Sequence, residues 1–193
     1  MYTCFPLPKE KWQGFPLIMD YSTSEYYDMS ISKTEDGFNM SLELKSADPP
    51  ITHTSDEYDF PDSLYQPHWD KAEAFGIFDG DELIGAVEVF PEEWSNRLAV
   101  TELWVKDGYR KKGIGKALMD KAKEICRERN HRVIILETQS CNTNAIGFYL
   151  HEGFELIGFD SCCYTNADIA RREVRLDLGW FPEEWRGIAK RRE

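Results

Sequence analysis

From residue 72 onward the apolar and polar positions of the chain fall into short segments of clear period, which changes from two to 3.6 and back. Residues 72–79 and 82–90 read as two strands joined at Asp79-Gly80-Asp81, a hairpin turn by its chemistry. A turn across 91–96 leads into a third strand over 98–106. Ile114, Ala117, Leu118, Ala122, Ile125 and Cys126 recur at helical spacing with charges on the opposite side, which predicts an amphipathic helix over 113–129. Val133-Ile-Ile-Leu136 is a continuous apolar run, as expected of a central strand covered on both faces. Ala145, Phe148 and Tyr149 share one face of a second helix, with Asn142 or Thr143 as its N-terminal cap and Gly153 where a C-terminal cap belongs. Residues 154–159 and 173–178 read as closing strands, and Cys162-Cys163 are taken as strand residues.

Upstream the pattern is weaker. Residues 26–32 and 38–44 alternate around Glu35-Asp36-Gly37, a plausible hairpin, and Pro49-Pro50 ends that pattern. The segment 48–70 is acidic, aromatic and proline-bearing, suited to a loop or short helices over a site. Residues 1–25 mix aromatics with Pro6, Pro8 and Pro16 and read as an irregular N-terminal arm. A single domain over 26–178 follows, and 179–193 is a tail, either frayed or docked through Trp180 and Trp185. Strands, helix, strand, helix, strands in that order predict an α/β fold, a mixed sheet with helices over it.

Composition narrows the function. The chain has 193 residues, 41% of them hydrophobic and 30% charged, which suits one soluble domain. Its charge of −12 argues against a nucleic-acid partner, which demands a basic footprint. There is no apolar run of membrane-spanning length and no signal-type N-terminus, so neither membrane insertion nor secretion is expected. Five cysteines, an odd count without metal-type spacing, suggest reduced thiols and a cytoplasmic location. The histidines are scattered, so no metal is expected, and no histidine is placed beside Ser140-Cys141 to make a thiol nucleophile there. Residues 20–70 hold twelve acidic side chains against Lys33 and Lys45. That surplus is either a solvated face or a mouth that draws in a cationic substrate, with Asp56-Glu-Tyr-Asp-Phe-Pro-Asp62 as its lip.

The densest chemistry lies in Leu103-Trp-Val105-Lys-Asp-Gly-Tyr-Arg110-Lys111-Lys112-Gly113-Ile114-Gly115-Lys116, a strand, a cationic glycine loop and a helix start. Glycines let a ligand approach the backbone. The unpaired N–H groups of the first helical turn, the helix dipole and the charges of Arg110, Lys111, Lys112 and Lys116 all favour an anion. The spacing is neither that of a nucleotide P-loop nor that of a dinucleotide fold. Arg110-x-x-Gly113-x-Gly115 after a strand resembles the acyl-CoA pyrophosphate loop of the GNAT superfamily of N-acetyltransferases. Asn142-x-x-Ala145-x-x-Phe148-Tyr149, followed by Gly153-Phe154, resembles that superfamily's downstream block, in the right order. Leu136-Glu-Thr-Gln139, Ile157-Gly158, Tyr164 and Asn166 are similar to the streptothricin acetyltransferases within it.

The resemblance implies a GNAT-type mixed, mostly antiparallel sheet of about six or seven strands flanked by helices. It also implies acetyl-CoA as co-substrate and direct transfer to a primary amine of a small cationic compound, with a streptothricin-type antibiotic as one such acceptor. Protein and polyamine acceptors, a non-catalytic acyl-CoA-binding regulator, and a homodimer stay open. By resemblance, residues 110–116, with Ile114 and Gly115 among them, cradle the pyrophosphate, and the backbone at Leu103 and Val105 meets pantetheine. The Asn142 side chain steadies the same arm, and Tyr149 stands beside the sulfur as general acid. A phenol, with an ordinary pKa near ~10, is protonated at neutral pH and can supply the leaving thiolate. For the general base, Glu102 lies on the opposite side of the pleat from Leu103 and Val105, and Glu137 is its rival.

Overall fold

A computed structural model describes residues 2–54 and 62–189 of the protein. Among the described residues nine strands and five α-helices follow in chain order. They are β1 (Phe5–Leu7), α1 (Lys9–Trp12), β2 (Tyr21–Lys33), β3 (Phe38–His53), β4 (Glu73–Asp79), β5 (Glu82–Glu92) and β6 (Arg97–Val105). Then come α2 (Ile114–Glu128), β7 (Val133–Gln139), α3 (Thr143–His151), β8 (Glu155–Asp160), α4 (Asp168–Arg171), β9 (Arg175–Trp180) and α5 (Glu183–Ala189). The central sheet has seven strands in the order β1-β4-β5-β6-β7-β9-β8, and β2 and β3 form a sheet of their own. The expected mixed, mostly antiparallel α/β architecture is what the chain adopts.

Two compact units emerge, one from residues 1–19, 55–136 and 179–193, the other from 20–54 and 137–178. In the first unit β4, β5 and β6 form an antiparallel meander, and β6 and β7 are parallel. A parallel pair needs a long crossover, and α2 supplies it. Ile114, Leu118, Met119, Ala122, Ile125 and Cys126 give α2 its buried face, the stripe its spacing predicts.

The N-terminal arm is not irregular. β1 pairs with β4, α1 follows, and Leu7 and Leu17 are both buried in a cluster with Leu64, Tyr65, Leu83 and Trp104. Trp12 and Phe15 pack edge to face, and the Trp104 indole N–H donates to Ile18 O at 3.0 Å. A strand of three residues is too short to show a period, and Pro6 is tolerated because β1 is the edge of the sheet. At the other end Trp180 is buried beneath the cations of Arg127 and Lys123, and α5 carries the chain beyond it.

In the second unit the predicted hairpin is longer than its alternation suggested, because β3 runs through Pro49-Pro50. The register moves from Glu25↔Ser46 to Thr23↔Ile51, so the prolines fall in a bulge where no ladder amide is required. Cys162 and Cys163 are not strand residues. They lie past the end of β8 on an exposed bend, where Asp160 Oδ1 accepts from Cys162 N at 2.9 Å and turns the chain out of the sheet.

Candidate active site

In the first unit, the residues expected to hold the co-substrate lie on β6 and the loop after it. The parallel register of β6 with β7 covers Arg97↔Val133 to Ala99↔Ile135, whereas its register with β5 continues to Gly85↔Val105. Lys106 N donates to Ile84 O, across β5, at 3.0 Å. Backbone groups alternate sides along a strand, so the amides of Leu103 and Val105 point to the opposite edge, the one whose ladder with β7 has ended. Arg110 Nε reaches the Val105 carbonyl from the loop at 3.4 Å, consistent with that geometry.

The loop then turns tightly onto α2. Lys111 and Gly113 adopt positive φ of 62° and 83°, and a side chain at Gly113 would meet no atom within 4 Å. No side chain caps α2, and its ladder begins with Ala117 N bonding to Gly113 O at 3.1 Å. The amides ahead of that bond therefore precede the helical ladder and open at an exposed backbone. Gly85 on β5 lets the helix start sit this low, since a Cβ there would stand 2.7 Å from the Ile114 side chain. Arg110 is paired with Asp107 at 3.1 Å and Lys116 with Asp120 at 3.0 Å. Exposed pairs of this kind are worth little, so both cations can turn to a bound anion at small cost. Lys112 lies over the Tyr109 ring, and Lys111 is exposed. Backbone donors, an uncapped helix start and cations fit a diphosphate.

Glu102 is half-buried on β6, directly opposite Glu88 of β5 and on the pleat face it shares with Trp104. Sequence reasoning missed Glu88, which is fully buried. Its carboxylate accepts from Tyr65 N at 2.6 Å and from the Thr101 hydroxyl at 2.9 Å, and burial pushes its pKa up. Thr101 is the extra residue where the β5–β6 register shifts, a bulge that re-aims Glu102 relative to the strand before it.

In the other unit, the residues expected on α3 are placed as follows. Asn142 is the cap of α3, Oδ1 accepting from Ala145 N at 3.1 Å, which leaves the amide nitrogen of that side chain for other partners. The helix ends in a Schellman motif: Phe154 N bonds to Tyr149 O and Gly153 N to Leu150 O, each at 3.0 Å, with Gly153 at φ 86°. That turn folds the Phe154 ring back to 5.9 Å from Tyr149, and Phe148 packs on it from 5.5 Å. The Gly153-Phe154 pair thus positions the tyrosine. Gly153→Ala strains a left-handed backbone and is expected to lower stability by about 1–2 kcal/mol, measured by urea unfolding.

Glu137, the rival base, is ion-paired with Arg175 at 2.5 Å, and Arg175 also holds Asp177 at 2.8 Å. The expectation that no histidine accompanies Cys141 is corrected, for His53 Nε2 lies 3.5 Å from its sulfur. The same nitrogen is 3.5 Å from Glu173, and Tyr21 OH is 3.3 Å from the thiol. Cys141, His53 and Glu173 are all buried, a packed polar cluster rather than a surface nucleophile. Residues 56–61 of the acidic lip lie outside the described residues. Asp62 is described and is exposed. Among the described residues no group of three or more histidine, cysteine or acidic side chains is arranged to hold a metal.

Known proteins resemble this chain in sequence and in fold. The model of the acetyltransferase (GNAT) family matches residues 40–154. A streptothricin acetyltransferase of Streptomyces lavendulae is 34% identical over 154 residues, 75% of this chain and 76% of that protein. Streptothricin acetyltransferase A of Bacillus subtilis (strain 168) is 33% identical over 65% of this chain and 69% of its own length. The crystal structure of nourseothricin acetyltransferase superposes with a TM-score of 0.72 at 29% identity, covering 93% of this chain and 98% of that one. A putative streptothricin acetyltransferase from Bacillus anthracis, solved in complex with acetyl coenzyme A, shares the fold with a TM-score of 0.70 at 22% identity, over 95% and 98% of the two chains. With a family match that takes in both the β6–α2 loop and α3, the chain belongs to the acetyltransferase (GNAT) family and is an acyltransferase.

Proposed function

We propose that the protein is an acetyl-CoA-dependent N-acetyltransferase that acetylates a primary amine of a small, multiply charged cation, a streptothricin-type antibiotic being the best-supported acceptor. The observation that carries the reading is the open edge of β6 running into the uncapped start of α2. It presents outward amides at Leu103 and Val105 and then a donor-rich, cationic turn. The streptothricin acetyltransferases among its relatives point to the acceptor.

Acetyl-CoA, when bound, supplies an activated acetyl group on a thiol leaving group. The amides of residues 111–115, with Arg110, Lys111, Lys112 and Lys116, hold its diphosphate. The backbone of Leu103 and Val105 extends the grip, joined by the Asn142 amide nitrogen. Val105 N–H donates toward the oxygen on which charge develops, a preorganised contribution worth about 3 kcal/mol in other enzymes. Tyr149 gives its phenolic proton to the leaving thiolate, and Glu102 takes a proton from the acceptor ammonium. Glu137, ion-paired with Arg175, stays its rival for the second role. No acyl-enzyme is required, because the amine attacks directly within a ternary complex. The five free cysteines suit a reducing cytoplasm, and among the described residues no helix is long and apolar enough to cross a membrane.

CoA release measured across streptothricin, polyamines, peptide amino termini and simple monoamines tests the acceptor. With a charge of −12 on the chain, compounds bearing several positive charges are expected to exceed monoamines in kcat/KM. The advantage should be about tenfold or more and should shrink as salt is raised. Equal rates for all amines, insensitive to salt, would remove the case for a cationic acceptor.

A further inference from the structure

The buried polar cluster at the base of the β2–β3 hairpin grips the turn that opens α3. Tyr21 and His53 are paired across the two strands, their rings 5.1 Å apart. Tyr21 OH donates to Gln139 Oε1 at 2.6 Å, which uses its only hydrogen. Its oxygen, 3.3 Å from Cys141 Sγ, therefore accepts from the thiol. His53 Nε2 lies 3.5 Å from the same sulfur and 3.5 Å from Glu173 Oε1, and because a carboxylate only accepts, that nitrogen carries a hydrogen. Arg171 holds Glu173 in turn, through two nitrogens at 2.9 and 3.1 Å.

Only residues 140–142 separate β7 from α3, so Cys141 is the immediate neighbour of Asn142 in a tight connection. The rest of that turn is tied as closely. Ser140 donates from N and Oγ to the carbonyls of Val174 and Arg172, at 2.8 and 2.9 Å, and its own carbonyl accepts from Tyr27 N at 2.9 Å. The hydroxyls of Thr23 and Thr143 meet at 2.9 Å. Ser140 and Cys141 are fully buried while Asn142 is half-buried, so the anchored sulfur and the outward amide belong to adjacent residues. Buried polar contacts that satisfy one another hold a single geometry. We infer that His53 is a positioning residue for acetyl-CoA: with Tyr21 and Glu173 it clamps Cys141 and so sets the Asn142 amide nitrogen where the co-substrate meets it, an inference that rests on the role proposed above for Asn142. His53 acts through the turn, from 88 residues upstream of Cys141.

Calorimetry of CoA binding to the full chain, with steady-state kinetics alongside, tests this. Asn142→Ser keeps a capping oxygen but removes the amide, and is expected to raise the CoA dissociation constant about tenfold, near the upper worth of one hydrogen bond. His53→Leu should raise it about fivefold and leave kcat at saturation within about threefold, because a contact made equally in ground and transition states affects binding alone. His53→Gln, whose amide nitrogen can replace Nε2, should recover to within about twofold of the parent. His53→Leu combined with Asn142→Ser should bind CoA no more weakly than Asn142→Ser alone, since one acts through the other. Urea unfolding establishes that each variant is folded. Should His53→Leu fail to fold, Tyr21→Phe, which strips the hydroxyl between Gln139 and Cys141, carries the same test. A purely stabilising cluster predicts independent effects that multiply to about fiftyfold, or no change in CoA affinity for the folded variant, and either result overturns the inference. A His53→Gln variant as weak as His53→Leu does so too. If Asn142→Ser binds CoA as the parent does, the proposed role of Asn142 falls and the inference with it. A parent that binds CoA but acetylates no amine removes the proposed activity, while the affinities still decide the role of His53.

Discussion

Replacing Tyr149 by phenylalanine is expected to lower kcat by about 100-fold or more, the usual range for losing a positioned general acid, while affinity for CoA stays within about threefold. Phenylalanine keeps the ring that packs between Phe148 and Phe154, and the Schellman turn that sets it uses only backbone and Gly153. The substitution therefore removes the hydroxyl and little else. Steady-state kinetics with saturating amine, with calorimetry of CoA binding alongside, separate the two quantities. A kcat within threefold of the parent would take the proton-donor role away from Tyr149. If the parent itself acetylated no amine while binding CoA, an acyl-CoA sensor on the same scaffold would be the better account.

Glu88→Ala is expected to cost about 3 kcal/mol of stability. It strips the buried Tyr65 amide of its acceptor and leaves the Thr101 hydroxyl only the more distant Glu88 carbonyl at 3.4 Å, and an orphaned buried donor is expensive. Tyr65 in turn donates to Leu7 O and accepts from Ala74 N, so the loss reaches β1 and β4. Glu88→Gln keeps an acceptor oxygen and should stay within about 1 kcal/mol of the parent near pH 5. The pH dependence has a definite sign. Burial raises the folded-state pKa of Glu88, so the folded chain holds its proton where the unfolded chain, at about 4.3, has lost it. The parent's stability is then fully present below the unfolded value and declines as pH rises through the folded one. Relative to the parent, the glutamine variant should gain with rising pH, in urea titrations at several pH values. A parallel pair of pH profiles would show that Glu88 is not a buried titrating group.

Much of the fold was legible because long elements announce their period. α2 buries all the residues its spacing picked out except the half-buried Ala117, and β4, β5, β6 and β7 lie where runs of period two or continuous apolar sequence placed them. Short or interrupted elements were not legible. β1, α1 and α4 are three or four residues long, below one cycle of reliable pattern, and β3 passes prolines that ordinarily end a strand. The candidate site divides in the same way. The glycine loop could be read because its chemistry is written in backbone-permissive and cationic residues that are adjacent in sequence. Glu88, flanked by two valines, reads as the outward residue of an alternating strand. Only the return of Tyr65 and the bulge at Thr101 bury it.

What the amino-acid order determined by itself is therefore local: which segments are strands or helices, where the cationic glycine turn lies, and which tyrosine ends an α3 closed by Gly153-Phe154. Only the tertiary structure decided that β6 leaves β7 after Ala99, that Glu137 is paired with Arg175, and that Met29 of the hairpin is buried while Ile31, Phe38 and Met40 stay exposed. The physical reason is range. Propensity, capping and turn chemistry act over a few residues, whereas ladder endings, long-range ion pairs and uncovered side chains depend on partners far away in sequence, brought close only by packing.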